Sequence, residues 1–480
     1  MTKLCPWRWL LCLMIAALGA ACTPPEKKVI RVAVGTQNAT INCATGGLLL
    51  RELDLLKRYL PREGAYEDVR YDIQWRDFSS GPPITAEMIA GGLDFGMMAD
   101  FPAVLNGIAS EQAGKRSIYI ATLSGSAAGA GNGIVVPIDS PVHGVPDLKG
   151  KRVSVPFGST AHGMLLRALS DAGLDPERDV TLVPQQPAEA EAALRDNSID
   201  AHASFVPFVE LFPFRGAARK IYDGATTQIP TSHGMLVRAA YAEEHPEVVV
   251  GLLRAIIEAD RIFERDPERY SEIIEQVTGV DAEVAYMFHG PLGIQTRDVT
   301  LKPQFVRGLR IAADTLALLK RTNASLDVDR FVDDRYIRQA CAASGVSYEE
   351  RLSRHAKAPL AQRDARTGAP IAEPKRAAQL WVAGEAKVRS YENAASALAA
   401  RQALSAEGKR LRAVFVHDRH TGLKLLAEQA WYAETEDGDL DAFLSRDYAE
   451  TWARERKGDV RQLDDLKIFY PPLEQRPAAP

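Results

Sequence analysis

Gly158-Ser159-Thr160 at the start of an expected helix is a combination that can hold an anion. The first turn of a helix carries N–H groups without intrahelical partners, and its positive end favours negative charge. Hydroxyls add neutral donors. Ser159 or Thr160 could equally cap the helix and do nothing else. His162 is either a further donor or a helix histidine facing solvent. Asp100 would accept a bond from a solute amine, or cap the helix that Phe101 begins. Phe205 and Phe208 offer walls for a cleft, with one of them expected in the core. Gln37, Asn38, Met98, Ser124 and Thr231 complete the candidate ligand set. They lie in or beside loops that follow strands, where α/β sheets bind ligands at the switch point of the chain.

Catalytic and metal chemistry find less support. There is no Gly-x-Ser-x-Gly, no phosphate loop and no His-Glu-x-x-His. His417 and His420 are the one close histidine pair, and in a strand they would face opposite sides. The reading is a non-enzyme with no metal and no cofactor.

These residues need a scaffold. Val29–Val34, Tyr71–Trp75 and Leu93–Met98 read as strands, with helices expected over Leu48–Leu60, Thr85–Ala90 and from Phe101. A small-residue stretch from Ser124 to Gly133 can bend between two lobes. A second α/β unit follows: strand Lys151–Val155, helix Thr160–Ala172, strand Val180–Val183, helix Glu189–Asp196 and strand Ala201–Phe205. His233–Val237 reads as a return strand. Helices over Pro246–Arg265, Pro267–Val277, Phe305–Arg321 and Arg335–Ala343 follow. Alternating strands and helices imply parallel sheets. Ser353–Lys375 loses the apolar rhythm and reads as a linker. Strands at Gln379–Val382 and Leu411–Val416, with helices over Tyr391–Leu404 and Asp447–Arg456, form a last module expected to fold separately.

At 480 residues the chain is long enough for two or three domains. A net charge of −5, with no basic run among aromatics, gives no reason to expect nucleic acid. Lys3 and Arg8 precede an apolar stretch from Leu10 to Ala21, and small residues lead to Cys22. This is an export signal, too short to span a bilayer comfortably. Gly19-Ala20-Ala21-Cys22 resembles a bacterial lipoprotein signal, which implies an acylated Cys22 and a periplasmic, membrane-anchored protein. Residues 23–28 read as a tether. Cys5 and Cys12 leave with the signal. Cys43 and Cys341 remain, either as a long-range bridge or as two small hydrophobes.

A family resemblance rests on three segments. They are Ala86–Gly96 with Asp100-Phe101-Pro102-Ala103, Leu148–Val155 running into Gly158–His162, and Ala190–Ala201. Together they resemble the nitrate, taurine and alkanesulfonate binding proteins of ABC importers, over about residues 29–345. The resemblance implies an α/β, two-lobe periplasmic-binding-protein fold (type II). Residues 29–132 and 235–350 would form lobe I and residues 133–234 lobe II. A small anionic solute would lie between them, with an ABC permease and ATPase as partners. The family also includes binders of pyrimidine vitamin precursors, and an enzyme of their synthesis on this fold remains an alternative.

Residues 351–376 are then a linker, 377–470 a small α+β domain and 471–480 a tail. Leu411–Asp418, Thr421-Gly422 and Ala427–Tyr432 resemble the NosL-like, copper-chaperone-related family. The tail holds neither Cys nor Met, the soft ligands that select Cu(I). A copper-handling accessory role is therefore kept only as an alternative to docking.

Overall fold

The computed structural model describes residues 28–318, 322–354, 360, 363–436 and 438–466. The signal, Cys22 and most of the tether lie outside them. No helix among the described residues is long and apolar enough to cross a membrane.

Strands β1 (Val29–Thr36), β2 (Arg70–Asp77), β3 (Phe95–Ala99) and β4 (Ser117–Ser126) come first. Then follow β5 (Asn132–Val136), β6 (Arg152–Val155), β7 (Thr181–Pro184), β8 (Ala201–Phe205), β9 (Arg219–Asp223) and β10 (Thr231–Arg238). They make two five-stranded sheets with orders β2-β1-β3-β10-β4 and β7-β6-β8-β5-β9. In each, three strands are parallel and an antiparallel strand joins the fifth. The chain passes between sheets twice, from β4 to β5 and from β9 to β10. Gly129 and Gly131, in the first passage, have φ of +96° and +98°, a region closed to most other residues. The return strand begins at Thr231 and pairs with both β3 and β4. The first sheet therefore resumes four residues before position 235.

One aspartate performs the same task in each sheet. The Asp94 amide donates to Ala33 O at 2.9 Å, and its carboxylate accepts from Ala33 N at 2.9 Å and Arg31 Nη2 at 2.7 Å. The Asp200 amide donates to Arg152 O at 2.9 Å, and its carboxylate accepts from Arg152 N at 2.8 Å and Arg152 Nη2 at 3.1 Å. In two segments that carry the family resemblance, the aspartate thus holds neighbouring strands in register.

Sequence periodicity erred most after β1. In place of one helix over Leu48–Leu60 there is a wide turn at Ala44–Leu48, then short helices Leu49–Glu52 and Leu55–Tyr59. Asp54 breaks the run with φ of +50°, a conformation aspartate tolerates better than most residues. The expected helix at Thr85 starts earlier, at Gly81, with Pro82 and Pro83 in its first turn. Cys43 and Cys341 are both buried free thiols in the first core, and burial pushes the Cys43 thiol up to about 12.

After residue 363 the chain forms a four-stranded sheet, order β12-β11-β13-β14, and a three-stranded one, order β16-β15-β17. Their strands are β11 (Ala378–Val382), β12 (Arg389–Tyr391), β13 (Leu411–His417), β14 (Lys424–Leu426), β15 (Trp431–Glu434), β16 (Leu440–Phe443) and β17 (Asp459–Arg461). This unit does not stand apart. One apolar cluster runs from Ile41, Leu48 and Leu49 through Val209 and Phe288 to Leu380, Val414 and Leu425. Tyr286 stacks on Phe415 at 5.8 Å, and its hydroxyl accepts from Gln379 Nε2 at 3.0 Å. Lys387 pairs with Asp266 at 2.8 Å. The inner face of this unit is core shared with the helices Pro267–Thr278 and Ala282–His289. His417 meets Ala377 O at 2.6 Å and His420 stacks on Tyr448 at 4.0 Å, so the two rings serve different contacts.

Candidate functional site: the cleft between the two sheets

A cavity of about 790 Å³, counting its open mouth, lies between the two sheets. Its first-sheet side is built by Gln37, Thr40 and Asn42 after β1, by Ser79–Pro82, and by Thr231–His233 at the start of β10. Its second-sheet side is built by Asn132, Pro156–Thr160, Gln186, Phe205 and Val206. Gln295 closes it from the loop after the Ala282–His289 helix. No Asp, Glu, Lys or Arg is among these residues.

Two helix starts converge on it. Ser159 is the N-cap of helix Thr160–Asp171, and its hydroxyl oxygen accepts from His162 N at 3.3 Å. The Thr160 and Ala161 amides come too early in the helix to find an acceptor within it. Across the cleft, Ser80 is the N-cap of helix Gly81–Ala90, with no capping bond from its side chain. Pro82 and Pro83 there lack N–H groups. That helix start therefore offers the Gly81 amide and the Ser79 and Ser80 hydroxyls. An anion between two such ends meets favourable dipoles from both sides.

Of the residues singled out in the sequence, Gln37, Ser159, Thr160, Phe205 and Thr231 line this cavity, and Asn38, Met98, Asp100, Ser124 and His162 do not. Met98 is fully buried in the first core. Asn38 donates its amide to Asp77 at 2.8 Å, tying the loop to the end of β2. Ser124 donates to Asn42 O at 2.9 Å and so positions Asn42, which does reach the cavity. His162 turns back on its own loop, accepting from Gly158 N at 3.3 Å and stacking on Phe157 at 4.7 Å. Phe205 forms a wall and packs edge-on against Phe208 at 5.9 Å.

Asp100 has a different task from either expected one. Its carboxylate accepts from Thr160 Oγ1 at 2.6 Å, Thr231 Oγ1 at 2.9 Å, Ser232 N at 3.2 Å and its neighbour Phe101 N at 2.8 Å. Burial pushes this carboxyl above the usual range, and the donated bonds oppose that rise. Asp100 belongs to the first lobe and Thr160 to the second. Their bond is a latch between the lobes, and it occupies the Thr160 hydroxyl that the sequence assigned to the solute.

Beside the latch the lobes touch closely. A Cβ placed on Gly163 would lie 2.4 Å from Cζ of the Phe101 ring. Gly163→Val should therefore wedge the lobes apart and cost at least about thirtyfold in solute affinity, about 2 kcal/mol. Calorimetry would read the loss, and small-angle scattering the more open form. Unchanged affinity with an unchanged radius of gyration would disprove the wedge.

Sequence reasoning missed Ser79, Ser80, Asn42, Asn132, Gln186, His233 and Gln295 as cavity residues. Ser79-Ser80-Gly81-Pro82-Pro83 did carry a signal, since a serine followed by proline in the first turn marks a helix start. The amides carried none. They come from distant loops and meet only in the fold.

Residues 61–278 match the NMT1-like family. A protein of Escherichia coli (strain K12) named for binding aliphatic sulfonates is 28% identical over 306 residues, which cover 63% of this chain and 84% of that protein. The solved alkanesulfonate-binding protein of Xanthomonas axonopodis pv. citri, bound to MOPS, superposes with a TM-score of 0.54 at 24% identity, covering 64% of this chain and all of that one. The desulfurization enzyme DSZB superposes at 0.50 with 15% identity, covering 66% of this chain and 99% of that one, so the same fold also carries catalysis. This chain has the two-lobe periplasmic-binding-protein fold, extended by a small α+β unit at its C-terminal side.

Proposed function

We propose that this chain is the exported solute-binding component of an ABC importer and that it captures a small anion, a sulfonate first among the candidates. The observation that carries this is the uncharged interlobe cleft on which two helix starts converge. Amides, hydroxyls and helix ends can hold a permanently charged group without a counter-ion. Phe157, Phe205 and Val206 would receive its apolar part. The relatives named for sulfonates support the choice. Lobe closure on the solute requires that the closed form bind it better than the open one, and the Asp100–Thr160 bond belongs to the closed form. In this reading Cys22 carries a lipid that holds the protein at the membrane beside a permease and ATPase. The NosL-like resemblance of the last unit marks a docking fold and not copper carriage, because that segment contains no Cys or Met.

A second reading has a specific observation behind it. Aromatic walls with Gln and Asn side chains and no fixed charge would also suit a neutral pyrimidine. A thermal-shift screen separates the two. A solute at about a thousandfold excess over its Kd stabilises by roughly 4 kcal/mol, which raises Tm by several degrees. Taurine, ethanesulfonate or nitrate should give that rise and pyrimidines should give none. A rise with pyrimidines alone would replace the anion reading.

A further inference from the structure

His233 lies at the start of β10, opposite Ala99 of β3 and Ser124 of β4. Its ring is 3% exposed and lines the cavity, yet neither Nδ1 nor Nε2 has a hydrogen-bond partner. A buried ring with both nitrogens unmatched is costly, and such groups in native structures usually await a ligand or water. It is also the one basic side chain among the residues that line the cavity.

Resting on the reading of the cleft as an anion site, we propose that His233 is an anion-contacting residue whose charge responds to the bound solute. One ring nitrogen donates to an oxygen of the bound anion, and in mildly acidic solution the ring takes up a proton from solvent as the anion arrives. The surroundings allow this. Gln37, Thr40 and Asn42 from the loop after β1 and Asn132, Ser159 and Gln186 from the second lobe line the cavity with it, all uncharged. At the start of the helix after β3 stands Asp100, whose carboxylate is already satisfied by four donors. From the loop after residue 289 comes Gln295, also uncharged, and two residues further Arg297, whose charge is felt by Asp260.

With the lobes latched as in this structure, burial holds the His233 ring down at about 3, so it is neutral across the physiological range. An opposite charge in contact raises such a group by roughly 1–3 units. The filled site then holds a proton that the unfilled one lacks, and lowering the pH favours binding. Above the raised value the affinity is independent of pH.

The test uses the full chain with ethanesulfonate and with nitrate, neither of which titrates in the window. Calorimetry from pH 8 down to pH 4 should show binding that tightens below about pH 6, by up to about tenfold at pH 5. At pH 5 the heats should vary with the ionisation enthalpy of the buffer, reporting proton uptake by the parent protein itself. His233→Asn and His233→Gln keep a donor and cannot charge, so both should lose the pH dependence whatever their affinity at pH 8. A flat profile in the parent overturns the proposal. So does a profile that survives both substitutions, which would assign it to Glu210 or Asp260, buried carboxyls held up at about 7 and about 6. Nitrate binding with the pH dependence but no sulfonate binding would sink the sulfonate choice and keep His233. If neither anion binds, both ideas fall.

Discussion

Ser159→Asp should abolish binding of an anionic solute, with a loss of about a thousandfold or more, and leave the fold intact. The two halves of this expectation come from the same position. Ser159 is the N-cap of the Thr160–Asp171 helix. Aspartate caps helices as well as serine does, and its charge suits the helix dipole. Stability should therefore stay within about 1 kcal/mol of the parent. In the cleft the new carboxylate would take the helix-end donors for itself and face the anion directly. Two like charges about 4 Å apart repel by roughly 4 kcal/mol at an effective dielectric of 20, which is about a thousandfold in Kd. Ser159→Ala removes one hydroxyl and should cost about tenfold. Calorimetry with the solute found by the screen gives the affinities, and a melting curve gives the control. Parental affinity in Ser159→Asp would place the charged group elsewhere and favour a neutral solute.

Removing the chain beyond Arg354 should lower Tm by more than about 10 °C or leave no soluble protein. Lys424→Ala in the full chain should show how much one contact contributes. Lys424 is fully buried and donates to Pro291 O at 2.6 Å and to Gln379 Oε1 at 2.7 Å. Its ammonium also lies 5.0 Å from the Tyr286 ring and 5.5 Å from that of Phe415. Alanine would leave two buried acceptors unmatched and open a cavity, at a cost of about 3–5 kcal/mol. That corresponds to roughly 3–5 °C in a cooperative unit of this size. Truncation goes further, since Tyr286 and Phe288 would lose the face they pack against. Calorimetric scans of the parent should show one transition across both parts. Two well-separated transitions, or a truncated chain that melts with the parent, would make the last unit an independent module after all.

Elements whose cause is local were legible in the sequence. The strands that begin at Val29 and Leu411 and the helix Arg335–Ala343 announce themselves by β-branched residues and helical spacing. The Ser159 cap is readable for the same reason, because capping is settled within four residues. Asp94 and Asp200 were visible as parts of a pattern, but their task as register locks depends on strands far away. The cleft itself depended on tertiary structure. Asp100 looked like a ligand or a cap because nothing near it in the chain shows that Thr160 arrives from the other lobe. Asn132, His233 and Gln295 lie far apart along the chain and meet only because the two sheets share a double crossing. Met98 and Ser124 follow the same loop logic as Gln37, yet they point into packed interior, and one residue along a strand reverses the face. The last unit carried the signature of a tethered module, a linker low in apolar rhythm. Whether its apolar side is a core of its own or half of a shared one is a property of surfaces in contact. That was decided by Tyr286, Phe288 and Lys424 meeting across more than a hundred residues of chain.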